Sequence, residues 1–336
     1  MNADKTIAVT GGSGFLGKEI CFLLKDKGYR VKSLSRKKCE KLEKRGIKSI
    51  SCDILDRKDL SDALKGADAV IHTAAKAGIW GREEDFYRTN FDGTKNLIEV
   101  CQENAIDHLV YTSSPSVCFN GEDIKGANES IPYASRKLCP YAHSKQLAEA
   151  FVLERAKQSS LKATALRPHL IWGPGDPHFL PRLKDKSLSG KLVQVGRGDN
   201  FVDIIYVKNA AEAHICALEK LFQNNILRGQ AYFLGQEEAV NLWDFLNKLL
   251  KASSLPSITK KLPFSLAYAA GVLNEKIFKA LKIYDREPRI TPFLALQLGK
   301  SHYFDHQKAR SDFDFKPSIT TTDGLNLLSK SLKSAI

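Results

Sequence analysis

Residues 6–17 read TIAVTGGSGFLG, and this stretch decides the fold. Its β-branched start predicts a strand, and the glycines after it predict a tight turn into a helix. Gly11 permits the turn, Gly14 lets a pyrophosphate approach the backbone, and Gly17 permits close packing of the helix on the sheet. The first N–H groups of the helix then remain for phosphate oxygens. The loop is predicted to bind a dinucleotide through Gly11, Ser13, Gly14, Phe15, Leu16 and Gly17.

Strand and helix patterns alternate through the first 170 residues. The predicted strands are 6–9, 30–34, 47–52, 69–72, 108–112 and 163–166, and the predicted helices are 14–27, 37–45, 56–65, 84–104 and 141–158. This alternation is typical of an α/β protein with a doubly wound parallel sheet, the Rossmann fold. We expect the dinucleotide-binding Rossmann domain at 1–170. At 171–336 we expect a smaller lobe that mainly binds substrate, with some segments returning to the Rossmann domain.

Composition limits the class of protein. Of the 336 residues 43% are hydrophobic, which excludes a disordered chain. Seven scattered cysteines without a Cys-x-x-Cys pair predict reduced thiols and no zinc site. His302 and His306 fit a strand that runs into a helix better than a metal site, so no metal is expected. The chain shows no signal-like start and no long apolar run, so we expect a cytoplasmic protein, with peripheral membrane contact left open.

The formal net charge of +13 is concentrated in the second half of the chain. Residues 1–150 have a balance of +3, and residues 151–336 have a balance of +10. This excess suits an anionic cofactor, an acidic substrate or an anionic membrane surface. No block of Lys and Arg with interleaved aromatic residues is visible, so nucleic acid is not an expected partner.

The second predicted strand ends in the basic sequence SRKK at 35–38. Enzymes that use NAD usually carry Asp or Glu at this point, for the ribose 2′-hydroxyl. The guanidinium of Arg36 suits a 2′-phosphate instead, with Ser35 and Lys37 assisting. We therefore expect NADP(H) as the cofactor and NAD as the alternative. A solvated basic loop is the other interpretation of this segment.

Two further segments carry groups suited to proton transfer. Ser113 and Ser114 follow the fifth predicted strand. Tyr141 and Lys145 stand four residues apart and so share one face of a predicted helix. A free tyrosine has a pKa of about 10, and a nearby ammonium favours its phenolate. A serine hydroxyl opposite this pair can hydrogen-bond the oxygen of a carbonyl that is being reduced.

Together these features resemble the extended short-chain dehydrogenase/reductase family over nearly the whole chain. The sequence YTSS at 111–114 resembles its 3β-hydroxysteroid dehydrogenase branch. The resemblance implies an NAD(P)-dependent oxidoreductase acting on CH–OH groups, with Ser114, Tyr141 and Lys145 as catalytic residues. It also implies that the residues in contact with the cofactor include Asp53, Ile54, Ala74, Ala75, Tyr141, Lys145 and Pro168.

Longer strings narrow the resemblance. Residues 72–81, 165–176 and 231–233 are similar to the 2-alkyl-3-oxoalkanoate reductases of bacterial olefin biosynthesis and, less closely, to the C4-decarboxylating sterol dehydrogenases. The resemblance implies interconversion of a 3-oxo acid and a 3-hydroxy acid, with a long-chain 2-alkyl-3-oxoalkanoate as the expected substrate. The alternatives are a 3β-hydroxysteroid or sterol-4-carboxylate 3-dehydrogenase, an enzyme similar to nucleotide-sugar epimerases and dehydratases, and a non-catalytic NADP-binding protein.

Three features keep alternatives open. An apolar substrate with a carboxylate needs a cation, and the candidates are Lys76, Arg82, Lys137 and Arg182. In many relatives the helices that correspond to 84–104 and 141–158 pair into a homodimer. Residues 262–282 fit either a lobe helix with a solvated face or an interfacial helix that helps to draw an apolar substrate from a membrane.

Overall fold

The computed structural model describes residues 4–333. Its strands are, in chain order, β1 (Thr6–Thr10), β2 (Arg30–Ser35), β3 (Lys48–Ser51), β4 (Ala69–His72), β5 (His108–Thr112), β6 (Ile124–Ala127), β7 (Lys162–Pro168), β8 (Ile171–Trp172), β9 (Val193–Val195), β10 (Phe201–Val202), β11 (Ile205–Tyr206), β12 (Ala231–Leu234), β13 (Val240–Asn241), β14 (Lys260–Leu262) and β15 (His302–Phe304). Its α-helices are α1 (Phe15–Asp26), α2 (Glu40–Glu43), α3 (Arg57–Leu64), α4 (Glu83–Tyr87), α5 (Gly93–Glu103), α6 (Pro140–Gln158), α7 (Phe179–Leu188), α8 (Val207–Gln223), α9 (Leu242–Ala252), α10 (Phe264–Ala280), α11 (Pro292–Gly299), α12 (Gln307–Phe313) and α13 (Thr321–Lys333).

The large sheet has seven parallel strands in the order β3-β2-β1-β4-β5-β7-β12. β1 is wholly buried, and the strand order changes direction there, because β2 and β4 flank it. α1 and α8 cover one face of the sheet, and α3, α5 and α6 cover the other. This arrangement confirms the predicted doubly wound α/β fold. The carboxyl ends of the parallel strands meet at one edge, where such folds bind their ligands.

One predicted helix differs in kind from the structure. The pattern over 84–104 predicts a single helix, but the chain forms α4, a π-helical segment (Arg88–Asp92) and α5. A π turn holds one more residue than an α turn, and such turns are frequent at functional sites. The helix predicted over 37–45 shortens to the four residues of α2.

The second half of the chain builds a further core of its own. Side chains of α7, α9, α10, α11 and α13 pack together there. Trp172 is fully buried in this core, and its ring meets those of Tyr206 and Phe245 edge to face at 5.2 Å. The segments that return to the large sheet include α8, which covers it, α12, which packs on β12, and β12 itself, which forms the edge strand. Within residues 4–333 no helix is both long enough and apolar enough to cross a bilayer.

Candidate active site

The glycine loop joins β1 to α1 in a conformation that side chains would not fit. Gly11 has a φ of +69°, and a Cβ on it would lie 2.8 Å from the backbone nitrogen of Ala74. A Cβ on Gly17 would lie 2.3 Å from the carbonyl oxygen of Gly11. The N-cap of α1 is Gly14, which offers no side chain to its first turn. The loop therefore leaves the N-terminus of α1 open, as a bound phosphate requires.

The end of β2 lies beside this loop. The Ser13 N–H donates to Ser35 Oγ at 3.0 Å, which ties the loop to the strand. Arg36 follows and is exposed, and within residues 4–333 its guanidinium has no carboxylate partner. Asp53 is half-buried after β3 and accepts the Leu55 N–H at 3.0 Å. The structure thus brings the basic residue and the glycine loop to the same edge.

Ile54 and the alanines after β4 complete the predicted cofactor contacts on this side. Ile54 is buried and packs closely on Gly93, since a Cβ added to Gly93 would lie 2.5 Å from Ile54 Cδ1. Ala74 is half-buried next to Gly11, and Ala75 is exposed.

His72 anchors the end of β4 without a charge. Its Nδ1 lies 2.6 Å from Thr10 Oγ1 and its Nε2 lies 3.0 Å from Thr94 Oγ1. Burial lowers the pKa of His72 to about 3, with the Lys145 charge adding to the effect. The ring is therefore neutral, and its hydrogen bonds connect the end of β4 to β1 and α5.

Asn90, in the π-helical segment, joins two parts of the site. Its Oδ1 accepts the Lys76 N–H at 2.7 Å, and its Nδ2 donates to the Lys76 carbonyl at 3.1 Å. The same Nδ2 donates to Ser144 Oγ at 2.9 Å. Asn90 therefore fixes the loop after β4 against the helix that carries Tyr141 and Lys145.

Ser114 and Tyr141 face each other across the site. Ser114 caps a short 3₁₀-helix (Pro115–Cys118), where its Oγ accepts the Ser116 N–H at 3.3 Å. Tyr141 lies in the first turn of α6, and the Ser114 side chain is near enough to favour its phenolate. Ser113 is buried, and its Oγ has no hydrogen-bond partner. Of the two serines it is thus Ser114 that meets the tyrosine.

Lys145 is buried one turn further along α6. Its Nζ donates to the Thr112 carbonyl at 2.6 Å and lies 4.1 Å from the centre of the Tyr111 ring. Burial lowers its pKa to about 7, against the opposing effect of the Glu149 carboxylate. Burial also raises the pKa of Tyr141 to about 12, against the opposing effect of the Ser114 side chain. The expected lowering of the tyrosine pKa by the ammonium is not seen, because Lys145 has lost its charge at the pH where Tyr141 would titrate.

A buried ion pair behind Lys145 was not anticipated from the sequence. Arg167 Nε donates to both Glu149 oxygens, at 3.2 and 3.0 Å, and Nη2 donates to Oε1 at 2.5 Å. The Tyr133 hydroxyl donates to Glu149 Oε1 at 2.8 Å. Pro168, predicted beside the cofactor, directly follows this arginine at the end of β7 and is buried. The available signal was the four-residue step from Lys145 to Glu149, which puts both on one helix face.

The histidines near the end of β7 form hydrogen bonds rather than a metal site. His302 Nε2 donates to the Gln297 carbonyl at 2.9 Å, so its Nδ1 accepts from His169 Nε2 at 2.6 Å. His306 Nε2 lies 2.9 Å from the buried Asp203 carboxylate. Within the described part of the chain no group of three His, Cys, Asp or Glu side chains is placed to hold a metal ion.

A cavity of about 260 Å³ opens beside the start of α6. Its walls include Trp80, Lys137, Cys139, Tyr284 and Phe293. They therefore combine aromatic surface with an ammonium group.

Of the four cations proposed for a carboxylate, Lys137 alone lines this cavity, where it pairs with Glu83. Lys76 pairs with Asp85, Arg182 pairs with Glu287, and Arg82 is exposed.

The chain is similar to known proteins over nearly its whole length. A model of the 3-beta hydroxysteroid dehydrogenase/isomerase family matches residues 8–264. The 2-alkyl-3-oxoalkanoate reductase of Shewanella oneidensis is 43% identical over 331 residues, which cover 96% of this chain and 85% of that protein. The decarboxylating sterol-4-alpha-carboxylate 3-dehydrogenase of Mus musculus is 34% identical, with 96% and 89% covered.

Among solved structures, the UDP-glucuronic acid 4-epimerase of Bacillus cereus, in complex with UDP-glucuronic acid and NAD, superimposes with a TM-score of 0.76. It is 24% identical, with 98% of this chain and all of that chain covered, and it shows a shared fold. The family model spans well over half of the chain, and the relatives match nearly its whole length. The predicted resemblance is therefore confirmed: the chain belongs to the 3-beta hydroxysteroid dehydrogenase/isomerase family and is an oxidoreductase.

Proposed function

We propose that this enzyme interconverts a long-chain 2-alkyl-3-oxo acid and its 3-hydroxy acid with NADP(H). The observation that carries the proposal is the meeting of Ser114 and Tyr141, with Lys145 one turn away, at the sheet edge that holds the glycine loop. The Shewanella oneidensis relative is named for reduction of this class of acid. The sterol-4-carboxylate dehydrogenase activity named for the mouse relative is the second candidate.

The glycine loop fits a dinucleotide cofactor. Gly11 and Gly17 leave no room for a side chain, and the uncapped start of α1 directs N–H groups outward. The Bacillus cereus epimerase, which shares the fold, is in complex with NAD. Arg36 supports NADP instead, since its unpaired guanidinium suits a 2′-phosphate. When bound, the cofactor supplies or accepts the hydride.

The side chains of the site handle the proton. With a pKa of about 12, Tyr141 keeps its proton at neutral pH and can donate it to a carbonyl oxygen that gains negative charge. The Ser114 hydroxyl, beside it, can donate a second hydrogen bond to the same oxygen. Lys145, with a pKa of about 7, can change its charge near neutral pH and so help to return the proton to Tyr141.

The cavity suits the proposed substrate. Trp80, Tyr284 and Phe293 provide apolar surface for alkyl chains, and each buried methylene contributes roughly 0.8 kcal/mol. We propose Lys137 as the cation for the carboxylate, because it lines the cavity and lies four residues before Tyr141. The carboxylate of the substrate would have to displace Glu83 from Lys137. The Lys137–Glu83 ion pair is exposed and contributes little stability, so this displacement costs little.

The substrate proposal is tested by following NADPH oxidation with 2-alkyl-3-oxo acids of increasing chain length. We expect kcat/KM to rise with chain length until the cavity is filled, and methyl esters of equal length to react more slowly. Lys137→Met should lower kcat/KM for the acids and leave that for the esters nearly unchanged. Steroids and 4-carboxysterols are assayed in parallel. If their kcat/KM exceeds that of every long-chain acid, the second candidate is established instead.

The cofactor proposal is tested by calorimetry with NADPH and NADH. We expect NADPH to bind more tightly by about 1–3 kcal/mol, the range for hydrogen bonds to charged groups. Arg36→Ala should remove most of that difference. Arg45 is an exposed arginine two residues after α2 that lies over the Phe22 ring, so Arg45→Ala is the matched control and should retain the difference. Equal affinity of the wild type for both cofactors would refute the preference.

A further inference from the structure

Helix α10 exposes a row of large apolar side chains. Leu266, Leu273, Ile277 and Leu281 have exposed fractions of 58%, 60%, 44% and 64%. Their spacings of seven, four and four residues place them on one helical face. The small side chains between them on this face are those of Ala269, Ala270 and Ala280. A contiguous apolar surface of this kind normally marks an interaction site.

The opposite face of α10 is fixed in the lobe core. Ala267 is fully buried, and Gly271 lies against α11, where a Cβ would be 2.7 Å from the Thr291 carbonyl carbon. Phe264 and Tyr268 pack against the same core. The helix therefore cannot rotate to bury its leucines, and the row Leu266–Leu273–Ile277–Leu281 stays on the surface.

Basic residues surround this apolar row. Within 260–289 there are seven Lys and Arg residues and three Asp and Glu residues. Lys276 lies beside the row on the helix itself, and Lys282 follows its end. Lys260 and Lys261 precede the helix on β14 and are exposed. An apolar face with a basic rim matches the apolar interior and anionic surface of a lipid bilayer.

The same helix forms a wall of the candidate substrate cavity. Glu275 and Lys279 line the cavity, as does Tyr284 just after the helix. The Trp80 ring lies 5.9 Å from that of Phe278, and its Nε1 donates to the Ile283 carbonyl at 2.9 Å. The exposed apolar row and the cavity thus lie on two sides of the same helix, α10.

We propose that the row Leu266, Leu273, Ile277 and Leu281 docks this enzyme on an anionic phospholipid surface. A second copy bound through the same face would place the two basic rims against each other, which like charges oppose. A bilayer satisfies both the apolar row and the rim. Docking there brings the cavity wall to the membrane, whichever apolar substrate the enzyme uses.

The test is co-sedimentation with vesicles of phosphatidylcholine alone and of phosphatidylcholine mixed with phosphatidylglycerol. The wild type should bind the mixed vesicles, and high salt should weaken the binding because it screens the lysines. The double substitution Leu273→Glu with Ile277→Glu should reduce binding by about tenfold or more, since it removes two inserted side chains. Ile226→Glu, at a 51% exposed residue between α8 and β12, is the matched control and should bind as the wild type does.

Three outcomes would overturn the proposal. The wild type could fail to bind mixed vesicles, or the double variant could bind as well as the wild type. Alternatively, the wild type could sediment as a dimer that the double variant dissociates, which would assign the row to a second copy. Far-ultraviolet circular dichroism shows that each variant is folded, and since vesicle binding needs no turnover, the result is independent of the proposed reaction.

Discussion

Replacing Lys145 by methionine should stabilise the protein at neutral and acidic pH. The lysine is 3% exposed, and burial moves its pKa from 10.5 to about 7. Below pH 7 both the folded and the unfolded chain carry the charge, and the fold bears the full cost of burying it. A shift of this size corresponds to roughly 5 kcal/mol.

Loss of the bond to the Thr112 carbonyl opposes this gain. Leaving that acceptor without a partner costs about 1–3 kcal/mol. We therefore expect Lys145→Met to raise the free energy of unfolding by about 2–4 kcal/mol below pH 7. Between pH 7 and 10.5 the unfolded wild type binds more protons than the folded protein, so wild-type stability rises with pH and the advantage of the variant disappears.

The assay is urea denaturation of both proteins without cofactor, at several pH values from 6 to 10. Lys157→Met is the matched control, because Lys157 lies on the same helix but is exposed. That change should alter the free energy of unfolding by less than about 0.5 kcal/mol at every pH. If Lys145→Met destabilises the protein at pH 6.5, or changes stability by the same amount at all pH values, the assignment of a costly buried charge is wrong.

Four further substitutions separate the chemistry of the site from the stability of the fold. Tyr141→Phe should lower kcat by about 10² or more, the contribution of a proton donor, while calorimetry shows cofactor affinity nearly unchanged. Gly17→Ala should lower the free energy of unfolding by about 1–3 kcal/mol through overpacking, because a Cβ there would lie 2.3 Å from its nearest neighbour. Gly14→Ala should lower it by less, because the corresponding distance is 3.0 Å. Equal losses for the two variants in urea denaturation would contradict this. Glu149→Gln should cost about 3–5 kcal/mol in the same measurement, because Arg167 keeps a buried charge without a partner.

The parts of the fold that depend on short-range sequence were predictable. The predicted bounds of β4 (Ala69–His72) and β5 (His108–Thr112) agree with the structure at every residue. Both strands are buried between two helical layers, so each appears in the sequence as a short β-branched run that ends in polar residues. The glycine loop was predictable for a related reason, since Gly11 and Gly17 are required by the local backbone.

The features that depend on distant partners were not predictable. The π-helical segment contains Asn90, whose side chain bonds the backbone of Lys76 fourteen residues earlier. No periodicity in the sequence reports such a bond. The tyrosine pKa is a second case, because the four-residue spacing of Tyr141 and Lys145 shows that they share a face but not how deeply they are buried. Burial is a property of the whole fold, and here it both raises the pKa of Tyr141 and removes the charge of Lys145 before the tyrosine would titrate.

One face of α6 carries both the residues suited to proton transfer and the carboxylate of the buried ion pair. Tyr141, Lys145 and Glu149 follow one another at four-residue steps, so they lie in a row along the helix. Burial of the first two suits proton transfer but disfavours the charged lysine, and the third partly offsets this. Its carboxylate raises the pKa of Lys145 against burial, and it holds Arg167 in a bidentate pair. A site that needs a buried lysine is therefore built next to a carboxylate that has its own partner, because a lone Glu149 would pair with Lys145 and keep it charged.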